Sequence, residues 1–550
     1  MAALEKHHSR QVSPDSYKNN EFDFTDSYAE GHAPAAAGQQ SGTLKRGLKN
    51  RHIAMISIGG VIGTGLFLGS ANSLRHGGPL GLVLGYAVMG ILVYSVMISL
   101  GEMIAYLPIA GGHITMAARF VDPAFAFALG WNYWYNWTIV LPTELSAAAV
   151  LIDYWPNPVP SAVWITITLL LVVAINLGGS KLYGEMEFWF CVVKILTIMG
   201  LIFFGIIFTS GGVPGQKAIG FQYWRNPGPF VQYDNIAGSW GRFLGFWSVL
   251  INAAFAYIGT EIVAICAGEA KNPRRNLPKA IKRVYIRIIF FYLGGTMVIG
   301  LMVPSNDERL NLSDGTAASS PFVIAVNRAG VKALPSIINF SLLTAACSAA
   351  SSDLYTSSRA LYGMALTGGA PKIFTRTTKG GLPYLTLVVG FCFGLLAFMA
   401  GAGSASAGTV FNYFSNMTSV SGLLTWVGIC ITYVRFYAGM KAQNFDRDSL
   451  PYRAPFQPYA AWFAIFFGSF ILLMNGFNVF INGNWDTATF VTSYFPLPFW
   501  FVLQIGYMFY NKTHFVRASN MDLVSGARDI EEEEEEPPRN QIEAFWRWLA

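Results

Sequence analysis

Residues 57–69 read SIGGVIGTGLFLG and lie inside an apolar run, about 51–74, long enough to cross a bilayer. Gly59, Gly60, Gly63 and Gly65 crowd its middle. A glycine weakens a helix by about 1 kcal/mol relative to alanine and frees the backbone for irregular turns. In hydrocarbon an unwound stretch persists only where protein or water satisfies its amides and carbonyls. The run reads either as a broken helix lining a site, its free amides suited to a carboxylate, or as a helix whose small residues only permit close packing. Residues 255–262, FAYIGTEI, favour the first reading. They interrupt another apolar run, and Ile258-Gly259-Thr260 repeats Ile62-Gly63-Thr64. Interrupted segments at corresponding places in two halves point to the binding site of a transporter.

Composition agrees with a membrane chain. Of 550 residues, 53% are hydrophobic and only 12% charged, where a soluble domain would carry about a quarter. The runs predict an all-α polytopic protein of about twelve spans: 51–74, 79–107, 122–152, 161–177, 184–208, 243–266, 288–303, 333–354 with an amphipathic continuation to 365, 384–399, 410–433, 459–481 and 490–510. Residues 1–47 read as a disordered cytoplasmic tail, 48–510 as the transmembrane domain and 511–550 as a cytoplasmic tail bearing the acidic run Glu531 to Glu536. Lys45, Arg46, Lys49 and Arg51 precede the first span, and seven basic residues from Lys271 to Arg287 follow the sixth. Both groups belong inside, and an even span count returns the C-terminus to the same side. The net charge of +6 lies in loops between spans and signals no nucleic-acid partner. The five cysteines fall in apolar runs without metal-ligand spacing, and no cofactor or metal is expected.

An ionisable group within a span costs roughly 2.5–3.5 kcal/mol on insertion scales and is a functional hypothesis by default. Four stand out: Glu144, Lys194, Glu261 and Asp353. Desolvation makes a buried lysine's proton easier to exchange, so Lys194 is the candidate for proton coupling; its plain alternative is a structural cation bonded to carbonyls of the first break. Glu261 reads either as a link from the second break to its neighbours or as a proton acceptor. Glu144 could face a cationic group or make a structural hydrogen bond, and Asp353 reads as structural. Glu102 is expected at the interface, contacting the next loop. Thr418 and Ser421 are candidate pocket residues.

The stretches GGVIGTGLF, GEMEFW followed by Lys194, FAYIGTE with AGEAKNPRRNLPKAI, SDLYTSSRALYGMAL, APKIFTRTTKGGLPY and LPYRAPF resemble the yeast-type amino acid permeases. These are fungal members of the amino acid–polyamine–organocation superfamily. The resemblance runs from about residue 44 to 517. It implies two inverted five-helix repeats with spans one and six broken, plus two further helices, and proton-driven amino acid uptake across the plasma membrane by alternating access. It implies that Gly63, Thr64 and Gly65 meet the substrate carboxylate, that carbonyls of Val61, Phe255 and Ile258 take the ammonium, and that the Phe255 ring is a gate. It matches Lys194 to the span-five lysine that replaces a sodium ion in proton-coupled relatives. Val61 stands where many members have Ser or Thr, and Ile258 is also apolar, which leans toward neutral or broad-range substrates. Several relatives end in Phe-Trp-Cys; here Phe545-Trp546 lacks the cysteine. The expected partners are an amino acid, protons, the bilayer and cytoplasmic trafficking proteins at the tails. The rival readings are an amino-acid-sensing, transporter-like receptor and a permease for polyamines or carnitine. No Walker lysine motif, HExxH or GxSxG is present, so no enzyme is expected.

Overall fold

The computed structural model describes Met55 and residues 62–109, 111–213, 217–262, 281, 284–311, 320–330, 333–400, 406–481 and 483–525. Val61, the tail at 1–47, the basic loop at 263–280 and the acidic run lie outside them. The described residues form helices joined by turns and loops, without a strand. In order the helices are α1 Thr64–Phe67, α2 Gly69–Tyr106, α3 Gly112–Phe120, α4 Pro123–Ile152, α5 Ser161–Leu177, α6 Gly179–Thr209, α7 Gln222–Arg225, α8 Gly238–Tyr257, α9 Gly294–Met302, α10 Pro321–Arg328, α11 Leu334–Leu366, α12 Tyr384–Gly394, α13 Ala407–Ala442, α14 Tyr459–Leu473, α15 Thr487–Tyr494 and α16 Pro496–Asn511. A π-helical turn, Ile288–Leu293, leads into α9.

Six helices are long and apolar enough to cross a membrane, and a seventh crossing arises if α15 and α16, bent by 44°, count as one; α5, Tyr384–Met399 and α14 are shorter apolar helices. Several expected boundaries shift. Spans one and two meet without a loop, because the helix breaks only at Gly78 (φ +74°) ahead of Pro79. The eighth run and its continuation form one helix, α11, to Leu366. The eleventh ends its α-helix at Leu473 and continues as a 3-10 turn, Phe477–Phe480.

Helix α4 lies at the centre, packed against α11, α13, α5, α12 and α16. It starts cleanly: the Asp122 side chain accepts from the Ala124 amide, and Pro123 fills the first helical position. α8 runs along α2, where Gly77 and Gly85 leave room for Val249; a Cβ at either would come within 2.4 Å of it. Such small-residue contacts replace the hydrophobic drive that lipid cannot supply. The periphery is apolar and exposed, with Leu170 and Leu171 on α5, Phe466 on α14 and Phe509 on α16, as suits a surface bathed in lipid rather than water.

One end of the bundle is tied by a network that the sequence hid. Glu102 is fully buried, and the partners of its carboxylate are distant in sequence. It accepts from Tyr433 of α13 (2.9 Å) and, on the segment that follows α13, from Arg447 Nε and Nη2 (2.8 and 2.7 Å) and the Ala454 amide (2.7 Å). At the other end Asp307 pairs with Arg309 (2.7 Å) and Arg328 (3.2 Å). Partial burial pushes the Asp307 carboxyl up, but the hydrogen bonds and charge of Arg309, with Arg328, outweigh it and hold the group below its ordinary value.

Candidate functional site

The first break spans Gly63, in extended conformation (φ −141°, ψ −163°), the single turn α1 and the bend at Leu68 before α2. Its two glycines differ. A Cβ on Gly65 would lie 2.6 Å from the Ala256 Cα, whereas one on Gly63 would meet only Glu144 Oε1 at 3.9 Å. Gly65 is therefore needed for backbone-to-backbone approach, and the packing reading holds for this residue. The carbonyls released here find donors: Tyr86 gives its hydroxyl to Gly65 O (3.3 Å) and Ser320 to Phe67 O (2.9 Å).

The second break faces the first across that contact. α8 ends at Tyr257, Ile258 leaves helical geometry (φ −57°, ψ 143°), and Gly259 adopts φ +87°, a value that favours glycine. The Ile258 amide turns back to Phe255 O at 3.3 Å and the Ile262 amide to Gly259 O at 3.1 Å. Thr260 caps Tyr257 O (2.6 Å) and Tyr292 donates to Ala256 O (2.9 Å). Glu261 is buried and accepts from Trp426 Nε1 (3.1 Å), which links the break to α13. The Phe255 ring meets Phe411 of α13 edge-on at 5.8 Å. The Ile258 side chain lies against Gly422, whose missing Cβ would stand 2.8 Å from Ile258 Cδ1.

Beside these breaks the intramembrane charges come together. Thr64 Oγ1 donates to Glu144 Oε1 at 2.7 Å. The threonine hydroxyl is thus directed to a carboxylate of the protein, and a substrate carboxylate would rely on the backbone amides. Lys194, 1% exposed, faces Glu187 with Nζ to Oε1 at 3.6 Å. Ser348 donates to Glu187 Oε2 (2.6 Å) and Cys191 to Oε1 (3.3 Å). Glu144, Glu187 and Asp353 all act electrostatically on Lys194. Among the described residues, Lys194 Nζ, Glu144 Oε2 and Asp353 Oδ2 are buried without a hydrogen-bond partner. Sequence reasoning missed Glu187. The available signal was its place seven residues before Lys194, two turns along one helix face.

On α13, Ser421 bonds its own helix at Met417 O (2.9 Å) and its carbonyl accepts from Asn132 Nδ2 of α4 (2.9 Å). Thr418 is buried with Oγ1 unpartnered among the described residues. Asn136 Oδ1 is likewise unpartnered and sits 3.7 Å from where a Gly422 Cβ would be, one turn along α13 from Thr418. Buried polar groups without partners are costly and need an explanation. Asn132 and Asn136 were hidden in sequence among the aromatics of WNYWYNW.

The amino acid permease family model matches residues 52–520. The chain is 43% identical to the lysine-specific permease of Saccharomyces cerevisiae over 514 residues, covering 92% of this chain and 83% of that one. It is 42% identical to the dicarboxylic amino acid permease of the same yeast over 500 residues, 90% of this chain and 82% of that one. With the proline-specific permease of Emericella nidulans it shares 39% over 553 residues, 98% and 100% of the two chains.

Proposed function

The chain belongs to the amino acid permease family, a family of transporters and not enzymes, and we propose that it takes up L-amino acids together with protons across the fungal plasma membrane. The observation that most supports this is the meeting of two broken helices at Gly65 and Ala256 beside the Thr64–Glu144 pair. Such a junction offers helix-end amides to a carboxylate and unwound carbonyls to an ammonium. The substrate carboxylate takes the amides of Gly63, Thr64 and Gly65, and the ammonium takes carbonyls of Val61, Phe255 and Ile258. Phe255, against Phe411, closes over the bound molecule. Thr418 Oγ1 and Asn136 Oδ1, near Ile258 and Gly422, face the substrate side chain, while Ser421 is held within its helix and shapes the wall. The apolar Val61 and Ile258 support neutral or broad-range substrates. The relatives are named for a basic, an acidic and a cyclic amino acid, so the choice lies in side chains rather than in the fold.

Lys194 carries the coupling proton, with Glu261 tying the second break to α13 through Trp426. An inward elementary charge gains about 2.3 kcal/mol per 100 mV, a drive sufficient to concentrate a substrate. Twelve spans in two inverted repeats place both termini in the cytoplasm, where the tails meet trafficking partners. The deciding experiment is uptake of a panel of radiolabelled amino acids in a fungal strain lacking its own permeases, at two external pH values, with wild type and Lys194→Ala. One substrate class should enter, faster at acid pH, and the variant should lose the pH response. Uptake indifferent to both pH and Lys194 would replace symport by facilitated diffusion or exchange.

A further inference from the structure

We propose that Glu187 and Asp353 form the proton-release site of the transport cycle, taking the proton from Lys194 and delivering it to the face that carries the basic loops. This rests on the proton-coupled reading above. Lys194 Nζ stands 3.6 Å from Glu187 Oε1, Ser348 joins Glu187 to α11, and the buried carboxylates of Glu144 and Asp353 add their charge to the same cation. A lone counterion would neutralise Lys194 by itself. Three carboxylates around a single cation give the cluster more proton sites than a static ion pair uses, and such groups titrate as a unit.

The acids sit on three helices, Glu144 on α4, Glu187 on α6 and Asp353 on α11. Glu144 bonds Thr64 at the first break, toward the substrate. Glu187 precedes Lys194 on α6 by about 10 Å of helix, in the direction of Tyr183, and Asp353 follows Ser348 on α11 in the direction of Tyr355. Those two tyrosines stack at 3.8 Å with planes 13° apart, Tyr183 donates to Ser352 at 3.1 Å, and the Arg359 guanidinium covers the Tyr355 ring at 3.2 Å. This is the end where Trp131 of α4 bonds Gly369 beyond α11, next to Lys372 and Arg376. The titratable groups that interact with these acids or with one another are Tyr183, Cys191 and Lys194 from α6, Cys347, Tyr355 and Arg359 from α11, and Glu144 from α4.

The transfer balances without another reactant. An N–H bond of the Lys194 ammonium breaks, its electron pair stays on nitrogen, and an O–H bond forms on Glu187. The proton passes to the unpartnered Asp353 Oδ2 and then to water when the Tyr183–Tyr355–Arg359 stack parts. Lys194 is recharged from the side of Glu144.

The test uses full-length protein in liposomes and a mixture of radiolabelled L-amino acids. It compares counterflow exchange with uptake driven by an imposed pH gradient, and reads proton entry with a trapped pH dye. In Glu187→Gln and Asp353→Asn, gradient-driven accumulation and substrate-induced proton entry should fall by about a hundredfold relative to counterflow exchange, the scale of a lost proton-transfer group. Both variants moving protons as wild type does would overturn the inference alone. Wild type that exchanges without proton entry would overturn the symport reading and the inference with it. If the two variants lose exchange as well, Ser348→Ala decides. It removes a donor to Glu187 and should shift the internal-pH dependence of transport, and an unmoved profile would overturn the proposal.

Discussion

Gly63 and Gly65 stand two residues apart in one glycine-rich turn and are glycine for different reasons. Gly65 presses on the Ala256 backbone, so an added methyl must push two helices apart; Gly63 has open space and a φ that alanine adopts. Gly65→Ala should therefore cost about 1–3 kcal/mol, the usual penalty of overpacking, and should lower the melting temperature in detergent and abolish uptake. Gly63→Ala should leave the melting temperature nearly unchanged. Equal destabilisation by both would show that the turn needs glycine flexibility rather than the approach to Ala256. At this scale the sequence was legible wherever one residue type is costly by itself. Glu144, Lys194, Glu261 and Asp353 are conspicuous in apolar runs because each charge is expensive there. What it concealed is pairing: Thr64 with Glu144 and Glu102 with Arg447 join residues 80 and 345 apart in sequence, and no local pattern encodes such meetings.

Among elements, hydropathy located the helices well, since 161–177 is α5 and 122–152 is α4 but for its capping residue. It failed where a break carries no polar loop, as at Gly78, and it was silent on the segment after α16. That segment runs back under the bundle as a strap. The Val516 amide bonds Val121 O (2.9 Å), Arg435 donates to Val516 O, and Gln443 donates to Met521 O (2.8 Å). Tyr106 donates to Leu523 O (2.8 Å) and Arg119 to Ser525 O (2.7 Å). Met521 and Leu523 are almost fully buried, Met521 against the bare Gly439 of α13. Polar composition hides this docking, because most of the partners are backbone carbonyls. Leu523→Asp should remove about 1.5–3 kcal/mol of burial and raise the undocked population by at least about tenfold. Trypsin cleavage after the exposed Arg517 should accelerate accordingly, and an unchanged rate would mean that the hydrogen bonds alone hold the strap.

Across the whole molecule the two breaks are joined by three tyrosines from separate helical segments. Tyr86 of α2 donates to Gly65 O, Tyr257 at the end of α8 to Tyr86 O (3.0 Å), and Tyr292 of the π turn to Ala256 O. Tyr257 and Tyr292 stack at 4.2 Å. An unwound helix in a membrane survives only if its carbonyls find donors, so this group is what lets Gly65 and Ala256 meet with non-helical backbone on either side. The three bonds are not equivalent. Tyr86 O lies inside a regular helix and keeps its helical partner, and the bond to Gly65 O is long at 3.3 Å. Ala256 O sits at a helix end, and its bond of 2.9 Å to a wholly buried hydroxyl is the stronger of the two that satisfy break carbonyls, so its loss strands the acceptor at the greater cost. Stranding a buried carbonyl costs about 1–3 kcal/mol. Tyr292→Phe should therefore lower the melting temperature more than Tyr86→Phe or Tyr257→Phe. It should also raise the KM for amino acid uptake, because the carbonyls proposed for the ammonium, on Phe255 and Ile258, flank Ala256 and share its backbone. A variant that lost stability with KM unchanged would separate the tyrosine group from the substrate site and leave it a purely structural brace between α2 and α8.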